Sequence, residues 1–217
     1  MGYFITIEGG EGSGKTSVLQ EVIKLLNDDG YTNIVTSREP GGIKIATQIR
    51  EVLLDKENTM MDALTETFLF AASRRQHIVE KVLPELDKGA IFICDRFIDS
   101  SYVYQGIAGK VGLERVIDIN EIAIMGCKPN LTILFDVDPR IGLERINKNK
   151  DREVNRLDLA SLEYHDRVRS GYKQIAEMFP DRIVVIDASK PFEEVIHDVY
   201  TLVKRKLEEN GYERISK

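Results

Sequence analysis

The chain has 217 residues, of which 42% are hydrophobic and 30% are charged, and this composition suits a globular protein with a buried core. Its net charge of -6 argues against a protein that binds nucleic acid mainly through contacts to the phosphates. No apolar run approaches the length that a membrane-spanning helix needs, so we expect neither nucleic acid nor a membrane as a partner.

Cysteine and histidine usage argues against two further classes of protein. Cys94 and Cys127 form no C-x-x-C pair, and we predict two reduced thiols, with a disulfide between them as the alternative. His77, His165 and His197 lack metal-ligand spacing, which argues against a structural zinc site and a His-based hydrolase. The first ten residues contain no basic segment followed by a long apolar run, so we predict no signal peptide and a cytoplasmic location.

Five short runs of nearly continuous hydrophobic residues predict parallel strands that are covered on both faces. In chain order the runs are YFITIE (3–8), NIVTS (33–37), AIFICD (90–95), LTILFDVD (131–138) and RIVVID (182–187). Helical stripes lie between or after them, and the two clearest comprise Val18, Leu19, Val22, Ile23 and Leu26, and Val195, Val199, Leu202 and Val203. The alternation implies right-handed crossovers. It therefore predicts one α/β domain over residues 1–217, with a five-stranded parallel sheet between layers of helices.

Polar motifs follow four of the predicted strands, at the point where each strand ends. They occupy residues 8–16, 38–42, 95–96 and 187–190. Ligands of open parallel sheets bind at the carboxyl ends of the strands, so we expect these motifs to form one site.

Residues 9–16 read GGEGSGKT and match the phosphate-binding pattern G-x-x-x-x-G-K-[ST]. The glycines allow successive N–H groups to face one anion, and the following helix directs its positive end at the same point. Lys15 can reach the β- and γ-phosphates, and the Thr16 hydroxyl can bind Mg²⁺. An accidental glycine turn is the alternative, but the preceding strand and following helix favour a P-loop. The predicted ATP site comprises Gly9, Gly10, Glu11, Gly12, Ser13, Gly14, Lys15, Thr16 and Ser17.

A kinase also needs a site for the acceptor, whereas a nucleotide-dependent switch does not. The chain has no D-x-x-G after a middle strand, and NKNKD (147–151) has the wrong spacing for a guanine-reading motif. Arg38 and Arg96 follow strands, and Phe70 lies one helical turn before Arg74, so a ring and a guanidinium share one face. Such a pair can stack on a planar base and bind its edge. Packing of Phe70 in the core and a solvated Arg74 are the alternatives.

Several motifs together resemble those of bacterial thymidylate kinases, which are P-loop nucleoside-monophosphate kinases. In order, they are EGGEGSGKT, REPGG, FLFAASRR, CDRFIDSSYVYQG and NRLD…EYHDRV…GY. The resemblance extends from about residue 3 to about residue 203. It implies a three-layer P-loop kinase fold and Mg²⁺-dependent phosphoryl transfer from ATP to dTMP, which gives ADP and dTDP for dTTP synthesis. The alternative is another monophosphate kinase that acts on UMP, CMP or a modified dTMP-like nucleotide.

The resemblance implies roles for the residues of the base site. Phe70 would stack on thymine and Arg74 would bind the edge of the base. Ser101 and Gln105 would also contact the base, and Tyr104 would crowd the 2′ position of the sugar.

The resemblance also implies roles around the phosphates. Arg38 and Arg96 would bind the acceptor phosphate, and Asp95 would lie near Mg²⁺ and the phosphates. Glu11 would bind the 3′-hydroxyl of the acceptor, which explains a carboxylate inside an anion-binding loop. Phe97 departs from the commoner D-R-Y pattern and removes a phenol, so a hydrogen bond there is in doubt.

The segment ERINKNKDREVNRLD (144–158) is basic and polar, as a mobile cover over the phosphates would be, although an ordinary solvated helix and loop would look the same. The P-loop contains no arginine, and phosphoryl transfer needs positive charge on the transferred group. The chain is therefore similar to the branch of the family whose lid, here about residues 145–157, provides that arginine. Arg152 and Arg156 are the candidates, and Arg145 is the third.

The helical pattern LERVIDINEIAI (113–124) is apolar around more of its circumference than one core contact requires. It is either fully buried within one chain or part of a homodimer interface, and the resemblance supports the homodimer.

Overall fold

Five parallel strands form the sheet of this protein, for which a computed structural model describes residues 2–148 and 161–212. The order across the sheet is β2-β3-β1-β4-β5. The strands are β1 (Tyr3–Gly9), β2 (Ile34–Arg38), β3 (Ile91–Asp95), β4 (Leu131–Asp136) and β5 (Ile183–Asp187). The prediction of a five-stranded parallel sheet is confirmed, and the predicted strand at 131–138 ends two residues early because a helix begins at Pro139.

Helices cover both faces of the sheet. They are α1 (Lys15–Asp28), α2 (Lys44–Leu54), α3 (Ala63–His77), α4 (Leu83–Asp87), α5 (Ile98–Ser101), α6 (Leu113–Ile124), α7 (Pro139–Lys148), α8 (Leu162–Met178) and α9 (Phe192–Glu209). Two π-helical segments, Ile78–Val82 and Tyr102–Ala108, continue α3 and α5.

Alternation along β1 divides the core into two halves. All seven residues of β1 are buried. Ile5 and Ile7 pack with the apolar stripes of α1 and α9, whereas Phe4 packs on the opposite face with Phe92 and Phe97. Each face of the central strand therefore holds one layer of helices, and this produces the three-layer architecture.

Strand register brings the predicted polar residues to one edge of the sheet. Ile7 and Arg38 both pair with Asp95 across neighbouring strands, and Asp136 pairs with Asp187. The ends of all five strands are thus aligned, as binding at the carboxyl edge requires.

A buried ion pair fastens α5 to the start of β5 behind this edge. Arg182 donates to both carboxylate oxygens of Asp99 at 2.7 Å, and the Asp99 side chain is 1% exposed. Arg182 also donates to the Thr132 hydroxyl and lies 4.7 Å from the centre of the Phe179 ring. The Asp99 carboxylate therefore has a bidentate ion pair with Arg182 in place of hydrogen bonds to water.

Within the described part of the chain, none of the helices combines the length and the apolar character that crossing a membrane would require. Cys94 and Cys127 are free thiols, as predicted.

We expect Arg182→Met to lower the free energy of unfolding by about 3–5 kcal/mol, because it leaves the buried Asp99 carboxylate without its partner. Urea denaturation measures the loss. The control is Lys24→Met, which removes a solvent-exposed ion pair with Glu21 and should change the stability little. Similar losses in the two variants would contradict this account of the Asp99 pair.

Candidate active site

The P-loop runs from the end of β1 into α1, and its backbone is open to an anion. Gly14 precedes the helix with φ 84°, and no side chain caps the first turn of α1. The N–H groups of that turn therefore remain available for a ligand. Gly12 has φ 69°, and a Cβ there would lie 2.1 Å from the Gly142 carbonyl oxygen of α7. Glycine is thus required at Gly12 both by conformation and by the close approach of α7.

Lys15 is folded back onto the loop. Its Nζ donates to the carbonyl oxygens of Gly9 and Gly10, each at 3.1 Å. Burial, and secondarily the nearby Arg96, lowers the pKa of Lys15 to about 8. Gly9 and Gly10 therefore support the lysine, whereas residues 11–17 line the adjoining cavity.

Thr16 and Asp95 lie together at the base of the loop. The Thr16 hydroxyl donates to Asp95 Oδ2 at 3.1 Å. Asp95 Oδ1 is buried, and no described residue offers it a hydrogen bond. An unpartnered carboxylate oxygen beside a hydroxyl fits Mg²⁺, which takes few protein oxygens and completes its shell with water and phosphate. No group of three or more His, Cys, Asp or Glu side chains that could hold a metal ion occurs among residues 2–148 and 161–212.

Glu11 is held in a cage of donors. Tyr104 donates its hydroxyl to the Glu11 carboxylate at 2.8 and 2.9 Å from the two oxygens, and Arg96 Nη2 donates at 3.0 Å. His165 Nδ1 lies 3.6 Å from Glu11 Oε2. Burial alone would raise the pKa of Glu11, but His165, Arg96 and Lys15 hold it well below its usual range. Glu11 is thus ionised at any working pH.

Arg96 has an unusual backbone, with φ 68° in the left-handed region. For a residue other than glycine this conformation costs about 1–2 kcal/mol. Its Nη1 donates to the Ser100 and Tyr172 hydroxyls, each at 3.1 Å, and the guanidinium lies 5.1 Å from the centre of the Tyr104 ring. Several contacts therefore keep a strained turn in place at the edge of the sheet.

Glu8 lies behind this turn and is fully buried. Its carboxylate accepts from the Phe97 amide at 2.7 Å, the Ser100 hydroxyl at 2.6 Å and the Tyr172 hydroxyl at 2.9 Å. Burial, reinforced by the nearby Asp99 carboxylate, raises the pKa of Glu8 to about 7. The sequence interpretation included Glu8 and Tyr172 in its motifs but gave them no role, and the available signal was a carboxylate at the end of an otherwise apolar strand.

Arg74 is 2% exposed, so the solvated alternative is wrong. Its Nε donates to Glu39 at 2.8 Å, and Nη2 donates to the Phe97 carbonyl oxygen at 3.0 Å. Nη1 donates to Ser101 at 3.1 Å and also to Asn120. Four of the five N–H groups of the guanidinium are therefore directed to the protein.

The predicted acceptor residues surround one cavity of about 340 Å³. Its lining includes Glu11, Arg38, Phe70, Arg74, Arg96, Ser101, Tyr104 and Gln105. The Arg38 side chain is exposed and makes no hydrogen bond or ion pair with any described residue, so its guanidinium can turn to a ligand. The structure thus brings together all eight, although they come from five separate segments of the chain.

A second cavity, of about 570 Å³, adjoins the P-loop. Arg145 from α7 lines it and donates to the Ala188 carbonyl oxygen at 3.1 Å, and Lys190 also lines it. Arg152 and Arg156 lie outside the described residues.

Known proteins are similar to almost the whole of this chain. The family model described as Thymidylate kinase matches residues 7–199. Thymidylate kinases from Halalkalibacterium halodurans and Geobacillus thermodenitrificans are 52% and 51% identical to this chain over 206 and 207 residues, which cover 95% of it and 98% and 92% of the relatives. The crystal structure of thymidylate kinase from Ehrlichia chaffeensis is similar with a TM-score of 0.74 and 31% identity, covering 94% of this chain and 98% of that one.

We expect the affinity of the ligand-free protein for inorganic tripolyphosphate to fall as the pH rises above about 8, since Lys15 must then take up a proton to bind an anion. The bound anion raises the pKa of Lys15, so the full affinity is present below pH 8 and the fall approaches tenfold per pH unit above it. Calorimetric titrations between pH 6.5 and 9.5 measure this dependence. Lys15→Met provides the control for the titration of the ligand itself, and parallel profiles for the two proteins would rule out Lys15 as the titrating group.

Proposed function

Since the chain belongs to the thymidylate kinase family, we propose that it transfers the γ-phosphoryl group of ATP to dTMP, giving ADP and dTDP. The supporting observation is the way in which the two cavities meet. Both are lined by Glu11, Lys15, Thr16 and Arg96. A phosphoryl donor on the P-loop and an acceptor in the other cavity would therefore face each other across these four side chains, as transfer requires.

The acceptor site is suited to a pyrimidine monophosphate. Phe70 offers an aromatic ring, and Arg74 retains one N–H group that is not committed to the protein. Arg38 and Arg96 would bind the acceptor phosphate, and Tyr104 would limit space at the 2′ position of the sugar. Glu11, caged by Tyr104 and Arg96, would accept a hydrogen bond from the 3′-hydroxyl.

The donor site would hold ATP on residues 9–17 and Mg²⁺ near Thr16 and Asp95. When bound, the metal ion would neutralise charge on the phosphates. Lys15 would leave the carbonyl oxygens of the loop and turn to the phosphates. No general base is needed, because an acceptor phosphate oxygen is already a nucleophile and positioning with charge neutralisation can supply the rate. We assign further positive charge to Arg152 and Arg156 of the lid, with Arg145 as the third candidate.

We also propose a cytoplasmic homodimer. The two free cysteines of each chain, Cys94 and Cys127, support the cytoplasm, because thiols stay reduced there. In support of the dimer, Ile122 and Met125 at the end of α6 are 77% and 72% exposed, and Phe68 on the adjacent α3 is 53% exposed. Val116, Asn120 and the rest of the inner face of α6 are buried within the chain. α6 is therefore not fully buried within one chain, and we assign its outer apolar patch to contact with a second copy.

Among the monophosphates, we expect dTMP to be the best acceptor, dUMP to be measurably poorer and CMP to be poorest. A coupled assay of ADP release with ATP and Mg²⁺ across all monophosphates measures this order. A nucleotide-dependent switch would release ADP without any acceptor, and a kinase of the UMP or CMP type would turn over CMP at least as well as dTMP.

The proposed contact between Glu11 and the 3′-hydroxyl can be tested by changing both partners. Glu11→Gln should lower kcat/KM for dTMP by about 1.5–3 kcal/mol, because a charged acceptor is lost. With a 3′-deoxy analogue of dTMP the same substitution should cost little more, since the hydroxyl is already absent.

This comparison also separates the direct contact from an indirect effect. Glu11→Gln disturbs the cage of Tyr104 and Arg96 equally with both substrates. Additive losses would show that Glu11 and the 3′-hydroxyl do not meet.

A further inference from the structure

We propose that Glu66 is a positioning residue that fixes the orientation of the Gln105 side-chain amide and thereby sets the base specificity of the acceptor cavity. The inference rests on the proposed function, because it concerns the base of the acceptor. Glu66 does not line the cavity itself, whereas Gln105 does. Glu66 therefore acts through Gln105.

The hydrogen bond between the two side chains has only one possible direction. Gln105 is 3% exposed, and its Nε2 lies 2.9 Å from Glu66 Oε1. A carboxylate only accepts hydrogen bonds, so the amide must turn its NH₂ group towards Glu66. No described residue donates to Gln105 Oε1, and this oxygen is not among the buried atoms that lack a partner. The oxygen is therefore presented to the cavity as an acceptor.

Glu66 belongs to the same face of α3 as two of the base-site residues, Phe70 and Arg74. Glu66, Phe70 and Arg74 follow one another at intervals of four residues, which places them one above the other on a helix. Arg74 can only donate, and its guanidinium is fixed by Glu39 and three further acceptors. One helix face thus provides a stacking ring, a fixed donor and the carboxylate that orients an acceptor.

A fixed donor beside a fixed acceptor distinguishes the pyrimidine bases. A 4-oxo pyrimidine presents a carbonyl oxygen at position 4 and an N–H at position 3, which complement Arg74 and Gln105 Oε1. Cytosine presents an amino group and a bare nitrogen at these positions, which is the opposite pattern. An amide without an anchor could rotate by half a turn and meet either ring nitrogen, because its oxygen and nitrogen ends have almost the same shape. Glu66 removes that second orientation.

The test is Glu66→Gln, an isosteric change after which residue 66 can donate as well as accept. We expect the preference for dTMP over dCMP to fall about tenfold, mainly through KM. The Gln105 amide could then rotate, so cytosine would no longer face a buried acceptor that it cannot pair with. The preference is measured both as a ratio of binding constants by calorimetry and as a ratio of kcat/KM. Glu80→Gln is the matched control, since Glu80 accepts from Gln76 Nε2 at 3.0 Å in an exposed pair, and it should leave the preference unchanged.

Gln105→Ala makes the test specific for positioning. In that background, Glu66→Gln should have no further effect on the preference, whereas a role independent of Gln105 would give the same fall in both backgrounds and overturn the proposal. A preference that stays within twofold after Glu66→Gln alone would also overturn it. If the native protein binds dTMP without phosphorylating it, the proposed function is wrong, and the ratio of binding constants still decides the role of Glu66.

Discussion

Glu8 lies near the end of β1, the central strand of the sheet. Its buried carboxylate accepts hydrogen bonds from the Phe97 amide and from the Ser100 and Tyr172 hydroxyls. These groups hold the turn after β3, where Arg96 adopts a backbone conformation that is unfavourable for any residue with a side chain. The same two hydroxyls accept from Arg96 itself. One carboxylate therefore fixes both the backbone and the guanidinium of Arg96, and through Arg96 it reaches Glu11.

Much of the resulting site is preorganised before a ligand binds. Glu11, Arg74 and Arg96 are each held by several partners, so little side-chain entropy remains to be lost when a substrate binds. Lys15 and Arg38 differ, because the lysine rests on loop carbonyl oxygens and the exposed arginine has no partner in the described part of the chain. In the proposed function, these rigid groups would contact the base, the 3′-hydroxyl and the phosphate of the acceptor, and the two adaptable cations would complete the phosphate sites.

Local patterns predicted the fold well. Apolar runs gave the strands to within about two residues, and α6 has the predicted bounds of 113–124. The P-loop, Phe70 and Arg74 could be proposed as site residues because their spacing in sequence carries the chemistry. The partnerships among them were not predictable in this way. Tyr172 is 164 residues from Glu8, and Asn120 is 46 residues from Arg74, so only the assembled fold reveals these contacts.

The close approach of Gly12 and Gly142 restricts how this sequence can change over evolution. A methyl group on Gly12 would lie 2.1 Å from the Gly142 carbonyl oxygen, and one on Gly142 would lie 2.3 Å from the Glu11 carbonyl oxygen. Since each side chain would collide with the backbone of the other segment, no compensating substitution at the second position could restore the fit. Neither glycine can be replaced, alone or together with the other. Substitutions elsewhere in α7 must therefore leave both glycines in place.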